Sequence, residues 1–430
     1  MSSSKVLRNF SHLGIVQILN YALPLITIPL VSRALGVDKI GLISYIFSYI
    51  TYFILLVNYS FSLTAIRKQT QINDLNLTFS LVFKSQFILL AISSVIFFTI
   101  LFLVPDLRDH YLLAYISYVA VLAAFFDKNW IYQYKQDLSI VAIVNVILKL
   151  LGVVFIILFI KEQGDYLVYA AILYGVTALT NIVLFLISLR KYQIKFVKIK
   201  FQHVFDFLKE GKMLFFSSVV ISLYTSTSTL LLGLYCNNRD VGLYTSATKL
   251  IEIAKVFAIM PITQLIYPIV AHKISENVDL GVSFVKQLMP IFNLMATILF
   301  IGTLIIGPFA LHILFGSQFL DAIPILWILS ISLALILYST VFGVLLMVNL
   351  GLDHLFFKNQ LYVAIISVLL TILILPYGAG MTSAVILVFS EILITGYQYY
   401  CLKVRGYTLF SMHMFSKQSF KDAFKALKSH

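Results

Sequence analysis

Charge is what this chain has least of. Only 11% of its 430 residues are Asp, Glu, Lys or Arg, against about 25% in soluble globular domains. With 60% hydrophobic residues and a mean hydropathy of +0.97, a water-soluble globule is excluded. Cysteine is nearly absent. Cys236 and Cys401 have no ligand spacing and, on the topology below, lie at opposite membrane faces, which excludes zinc and disulfide scaffolds. The eight histidines are scattered, and no phosphate loop, HEXXH or nucleophile elbow occurs. The sequence therefore predicts neither enzyme nor cofactor. A net charge of +13 is compatible with nucleic acid only if the basic residues gather on one exposed face; here they fall in short segments between apolar runs, so no nucleic-acid partner is expected.

What the sequence has in abundance is apolar runs of bilayer length. About 20 apolar residues cross a membrane, and there are about twelve such runs: 13–32, 41–63, 79–103, 111–132, 138–160, 166–189, 213–235, 242–268, 288–310, 322–348, 360–377 and 380–401. Each is continuous, without the alternation of a barrel strand, so each is read as a helix and the chain as an all-α polytopic membrane protein. The run after Lys5 and Arg8 lacks a cleavage site and is read as a retained span. Lys and Arg set the orientation. About 23 lie on the side of the N-terminus and about five on the other, which places both termini in the cytoplasm.

The longest and most basic connection, 190–212, separates an N-terminal lobe (1–189) from a C-terminal lobe (213–402), with a basic tail at 403–430. "DKIGLISYI" (38–46) and "RDVGLYTSA" (239–247) open the second span of each half with similar residues. Two halves of six crossings make a parallel pseudo-repeat, an arrangement that transporters use around a substrate path.

Against this background the eighth span, containing "KLIEIAK", is anomalous. Thr245, Lys249, Glu252 and Lys255 fall within about 120° of one another on a helical wheel, and lysine at such depth does not reach the interface comfortably. Two readings stand: a neutralised cluster that binds this helix to a neighbour, or a cationic surface, since one carboxylate leaves net positive charge. Lys149 lies mid-way along the fifth span, and Glu391 is central in the twelfth. They form a salt bridge with each other, or Lys149 serves the same anion as Lys249 and Lys255 while Glu391 couples to an ion. A carboxylate deprived of water can take up and release a proton near neutral pH. Asp127, where the apolar part of the fourth span ends, is either a boundary residue or a further coupling group. Pro24, Pro29, Pro261 and Pro268 mark places where the first and eighth spans can bend.

These residues also carry a family resemblance. "NYALPLITIPLVSRALG", "NWIYQYKQD", "SLYTSTSTLLLG", "DVGLYTSATKLI", "PITQLIYP" and the late "PYGAG" followed by "SE" resemble, in order and spacing, the bacterial O-antigen flippases (Wzx type) of the multidrug, oligosaccharidyl-lipid and polysaccharide exporter superfamily. The resemblance implies a V-shaped, two-lobed bundle of about twelve helices. Its implied task is to carry undecaprenyl-diphosphate-linked oligosaccharide between leaflets by alternating access. It also implies a basic cavity, to which Lys249 and Lys255 correspond by position, and an ion gradient of H⁺ or Na⁺. The expected partners are that glycolipid, membrane lipid and other polysaccharide-assembly membrane proteins. Relatives that flip the peptidoglycan precursor carry arginines in the first two spans; this chain has none there, which argues against that substrate.

Overall fold

The computed structural model describes residues 3–410 and 416–428, and no β-strand occurs among them. The chain divides into two compact units, Met1–Ser222 and Leu223–His430.

The first unit begins with α1 (Ser3–Asn58), a 56-residue helix broken at Gly36, whose φ of 74° and ψ of 175° only glycine adopts without strain. The expected first and second spans are thus the two arms of one element. Tyr59 and Ser60, both at positive φ, separate it from α2 (Phe61–Ile72). There follow α3 (Leu75–Leu103), α4 (Pro105–Asp109), α5 (Tyr111–Phe126) and α6 (Asn129–Lys135), then α7 (Leu138–Phe159), α8 (Tyr166–Lys191) and α9 (Phe201–Thr225). The starts are written in the sequence. The Asp74 side chain accepts the Leu77 N–H at 3.1 Å to cap α3, and Pro105 opens α4, where its missing N–H costs nothing. An aromatic-rich core joins α2, α3, α6, α8 and α9 through Phe61, Phe79, Trp130, Phe185 and Phe207.

The second unit runs α10 (Thr227–Tyr235), α11 (Asn238–Pro261), α12 (Tyr267–Glu276), α13 (Val278–Phe315), α14 (Ile323–Ser339), α15 (Asp353–Ile374), α16 (Ala379–Val404) and α17 (Lys417–Lys428). Two π-helical stretches interrupt it. Ile262–Ile266 lies between Pro261 and Pro268, where a bend is expected, and Thr340–Val348 continues α14. Asn237 and Asn277 cap α11 and α13 by accepting the N–H groups of Asp240 and Asp279, each at 2.8 Å. Where α12 meets α13, a Cβ on Gly281 would collide with the Ile274 side chain and stand 2.9 Å from its backbone nitrogen. Only glycine permits that approach. The core is built from Val285, Leu288, Phe292, Val341, Leu345 and Leu402.

Among the described residues, nine helices are long and apolar enough to span a bilayer, or ten if the bent pair α9–α10 counts as one. The difference from about twelve has two sources. The first two runs merge across Gly36, and the eighth run, α11, carries too many charged side chains to qualify by composition. Large apolar side chains such as Phe102 and Val95 lie exposed along these helices, the mark of a surface made for lipid.

Candidate functional site

The α11 helix presents two unlike faces. Tyr244, Ala247 and Ile251 are buried against the neighbouring helices α13, α14 and α16, while Lys249, Glu252 and Lys255 are exposed on the other side. The reason is spacing: steps of three and four residues keep each set on its own stripe. Lys249 Nζ meets Glu252 Oε2 at 3.2 Å within the helix. A pair so exposed contributes little stability. It leaves Lys255 as surplus charge: among the described residues no carboxylate lies within ion-pair distance of it, although its charge acts on the Glu391 carboxyl from α16.

Glu391, only 7% exposed, heads a polar row that sequence reasoning missed. Thr395 and Gln398 follow it at four and seven positions along α16, on one face. The Thr395 hydroxyl donates to the Leu335 carbonyl at 3.2 Å, and Asn359 Nδ2 from α15 donates to the Ile394 carbonyl at 3.0 Å. The row packs beside the π-helical stretch Thr340–Val348, where Gly343 comes close to the Gln398 amide. The i, i+4, i+7 spacing in "EILITGYQ" was the available signal.

The structure therefore brings Lys249 to Glu252 and Lys255 toward Glu391, all in the second unit. Lys149 and Asp127 belong to the first. Lys149 is half-buried on α7, a helix packed on α1 and α8. The Asp127 carboxylate accepts the Asn129 N–H at 2.8 Å, closing the short turn between α5 and α6.

The residue next to Asp127 is the larger surprise. Lys128, which sequence position makes an ordinary flanking lysine, is only 1% exposed. Its ammonium donates to Gln86 Oε1 at 2.7 Å and to the carbonyls of Phe125 and Asp127, within 5.3–5.9 Å of the ring centres of Phe83, Phe125 and Phe185. Three N–H groups on three acceptors, among three aromatic faces, suit a cation. Side chains also cover the last carbonyls of α5: Asn181 Nδ2 of α8 donates to that of Ala123 at 2.9 Å, Gln86 Nε2 of α3 to that of Ala124 at 3.4 Å, beside the Asp127 N–H that donates to it at 3.2 Å, and Lys128 to that of Phe125. Nearby, Asp137 accepts both Lys191 Nζ and the Tyr192 hydroxyl at 2.8 Å. Burial, with that carboxylate alongside, pushes the Tyr192 phenol above its ordinary range. Among the described residues no group of three His, Cys, Asp or Glu is placed to hold a metal.

Comparison with known proteins fits this picture. The family model described as "Polysaccharide biosynthesis protein" matches residues 6–273. A "Putative O-antigen transporter" of Escherichia coli (strain K12) is 25% identical over 392 residues, which cover 90% of this chain and 94% of that protein. Two solved structures share the fold. "Lipid II flippase MurJ, inward closed conformation" has a TM-score of 0.71 at 13% identity, covering 96% of this chain and 91% of its own. An inward-facing multidrug resistance MATE family transporter has a TM-score of 0.64 at 16% identity, covering 92% and 98%. With nine or ten helices long and apolar enough to cross a bilayer among the described residues, and a family match across more than half its length, the chain belongs to the polysaccharide biosynthesis protein family and is a multi-pass membrane protein.

Proposed function

We propose that the protein flips an undecaprenyl-diphosphate-linked oligosaccharide, an O-antigen repeat unit, from the cytoplasmic to the periplasmic leaflet of the bacterial inner membrane by alternating access. On this reading the chain makes twelve crossings in two lobes, with both termini cytoplasmic and the basic connection 190–212 between the lobes. The observation that carries the reading is the exposed face of α11, where two lysines are balanced by one carboxylate. The resemblance to O-antigen transporters supports it.

The physics of the task suits such a face. A sugar diphosphate cannot enter hydrocarbon because its charges would lose their water, and lysines and hydroxyls can replace that hydration while the lipid tail stays in the bilayer. Lys249 and Lys255 take the diphosphate, with Lys149 as a third cation. Glu391 takes the coupling H⁺ or Na⁺, with Glu252 and Asp127 as the two further carboxylates proposed for coupling. With the cytoplasm negative, outward movement of two negative charges is favoured by roughly 4.6 kcal/mol per 100 mV. A few lysines suffice, because tight binding would slow release. Other polysaccharide-assembly membrane proteins are the expected partners. A cation-drug antiporter of the same superfamily would present acidic groups to its cargo, which the lysines of α11 disfavour.

Deletion of the gene, followed by analysis of lipid-linked intermediates, tests the reading. Complete units trapped facing the cytoplasm are expected; units already exported but unpolymerised overturn it. For Glu391, replacement by glutamine removes a group that can change its charge. Flipping in Glu391→Gln membrane vesicles should fall about a hundredfold and lose its pH dependence, the lower end of the usual weight of a single proton-transfer group. Rates equal to wild type at every pH would leave Glu391 a structural residue.

A further inference from the structure

The connection after α8 is more than a tether. From Ile194 to Lys200 it runs without helix along the first turns of α3, held by a ladder in which two-residue steps of the connection match four-residue steps of the helix. The Lys195 N–H donates to Asn76 Oδ1 at 2.8 Å, the Val197 N–H to Ser80 Oγ at 2.8 Å, and Lys84 Nζ to the Ile199 carbonyl at 2.7 Å. The registers agree because two extended residues and one helical turn each advance about 6 Å. Ile194 and Ile199 are buried at its ends.

What the strap turns outward is both apolar and basic. Phe196 is 58% exposed, yet its ring sits edge-on to Phe79 and Phe83 at 5.4 and 5.2 Å. It thereby continues the exposed flank of α3, where Phe87 is the next large apolar residue. One helical turn apart at the start of α9, Phe201 and Phe205 extend the row, 64% and 62% exposed. Lys195, Lys198 and Lys200 are exposed among them. The nearby acid, Asp206, accepts the Gln202 amide at 3.1 Å, so the lysines outnumber it three to one. Soluble surfaces do not line up three exposed phenylalanines; a membrane interface that pairs apolar tails with phosphate does.

We infer that the strap and the start of α9 form a docking surface for anionic phospholipid of the cytoplasmic leaflet, with Lys195, Lys198 and Lys200 on the headgroup phosphates and Phe196, Phe201 and Phe205 at the acyl boundary. The inference rests on the orientation proposed above but not on the identity of the transported glycan. Its effect is to fix the inter-lobe connection to the inner membrane surface on the side of the first unit.

The test is lipid retention by the purified full-length protein. Protein reconstituted in discs of equal parts phosphatidylglycerol and phosphatidylethanolamine is re-extracted, and its bound lipids are measured by mass spectrometry. Wild type is expected to retain phosphatidylglycerol over phosphatidylethanolamine at least fivefold, falling to near parity in the Lys195→Gln, Lys198→Gln, Lys200→Gln triple variant and in wild type at 0.5 M salt, where charges are screened. The corresponding triple arginine variant, which keeps the charge, retains the preference. Equal phosphatidylglycerol retention by wild type and the glutamine variant, or loss in the arginine variant, overturns the proposal. Because the readout needs no glycan, it can fail or succeed independently of the flippase assay.

Discussion

Lys128→Ala is expected to lose most of its folded protein, with the purified remainder melting roughly 10 °C lower, the shift that a few kcal/mol produces in a unit of this size. Gln86 Oε1 and the Phe125 carbonyl lose their shared donor, and unsatisfied buried polar groups cost about 1–3 kcal/mol each. The space between Phe83, Phe125 and Phe185 becomes a cavity. Against this stands the relief of removing a charge from an apolar interior, which can make an ion-to-hydrocarbon replacement harmless. Lys128→Met separates the two effects. It refills the space and removes the charge but supplies no donor, so it should fall between alanine and wild type. Size-exclusion profiles and thermal melts of the three proteins in one detergent decide the matter: if alanine accumulates and melts like wild type, the buried ammonium does not hold the end of α5 in place.

The second large effect is expected on α11. Lys249→Ala or Lys255→Ala should reduce surface polysaccharide to the level of the gene deletion while the protein still accumulates in the membrane. Both side chains are exposed, so neither truncation opens a core. Each takes the stripe from one net positive charge to none, since Glu252 stays. The decisive variant is the double change Lys249→Ala, Glu252→Gln, which removes the ion pair as a unit and restores one net positive charge at Lys255. Polysaccharide recovered in the double variant, relative to Lys249→Ala alone, supports charge balance as the working property. Wild-type polysaccharide in both single variants removes α11 from headgroup binding.

How much of this the amino-acid order discloses depends on the kind of contact. Helices separated by loops are visible because apolar length and the lipid solvent leave no other backbone solution. The face of α11 is visible because lysines deep in an apolar run break a strong expectation. Lys128 is not, since a lysine at the end of a span is ordinary. Its burial depends on Phe83, Phe185 and Gln86, between 42 and 57 positions away in the chain, meeting around it. The strap is hidden for the same reason. "QIKFVKIK" reads as a basic loop until Asn76, Ser80 and Lys84 are found opposite it. The break in α1 lies between, because Gly36 signals a turn yet leaves open whether the helix resumes at once.

The closed end of α5 bears on how the protein is made. A ribosome delivers Gln86 first, Lys128 next and Asn181 last, so the Ala123 oxygen gains its side-chain donor only when α8 emerges. A nascent chain halted before residue 181 would lack that hydrogen bond at the end of α5, in a setting where lipid penalises under-satisfied backbone groups. Insertion of α8 is thereby the event that completes the N-terminal half, and truncated products ending short of it are expected to be the ones that membrane proteases remove.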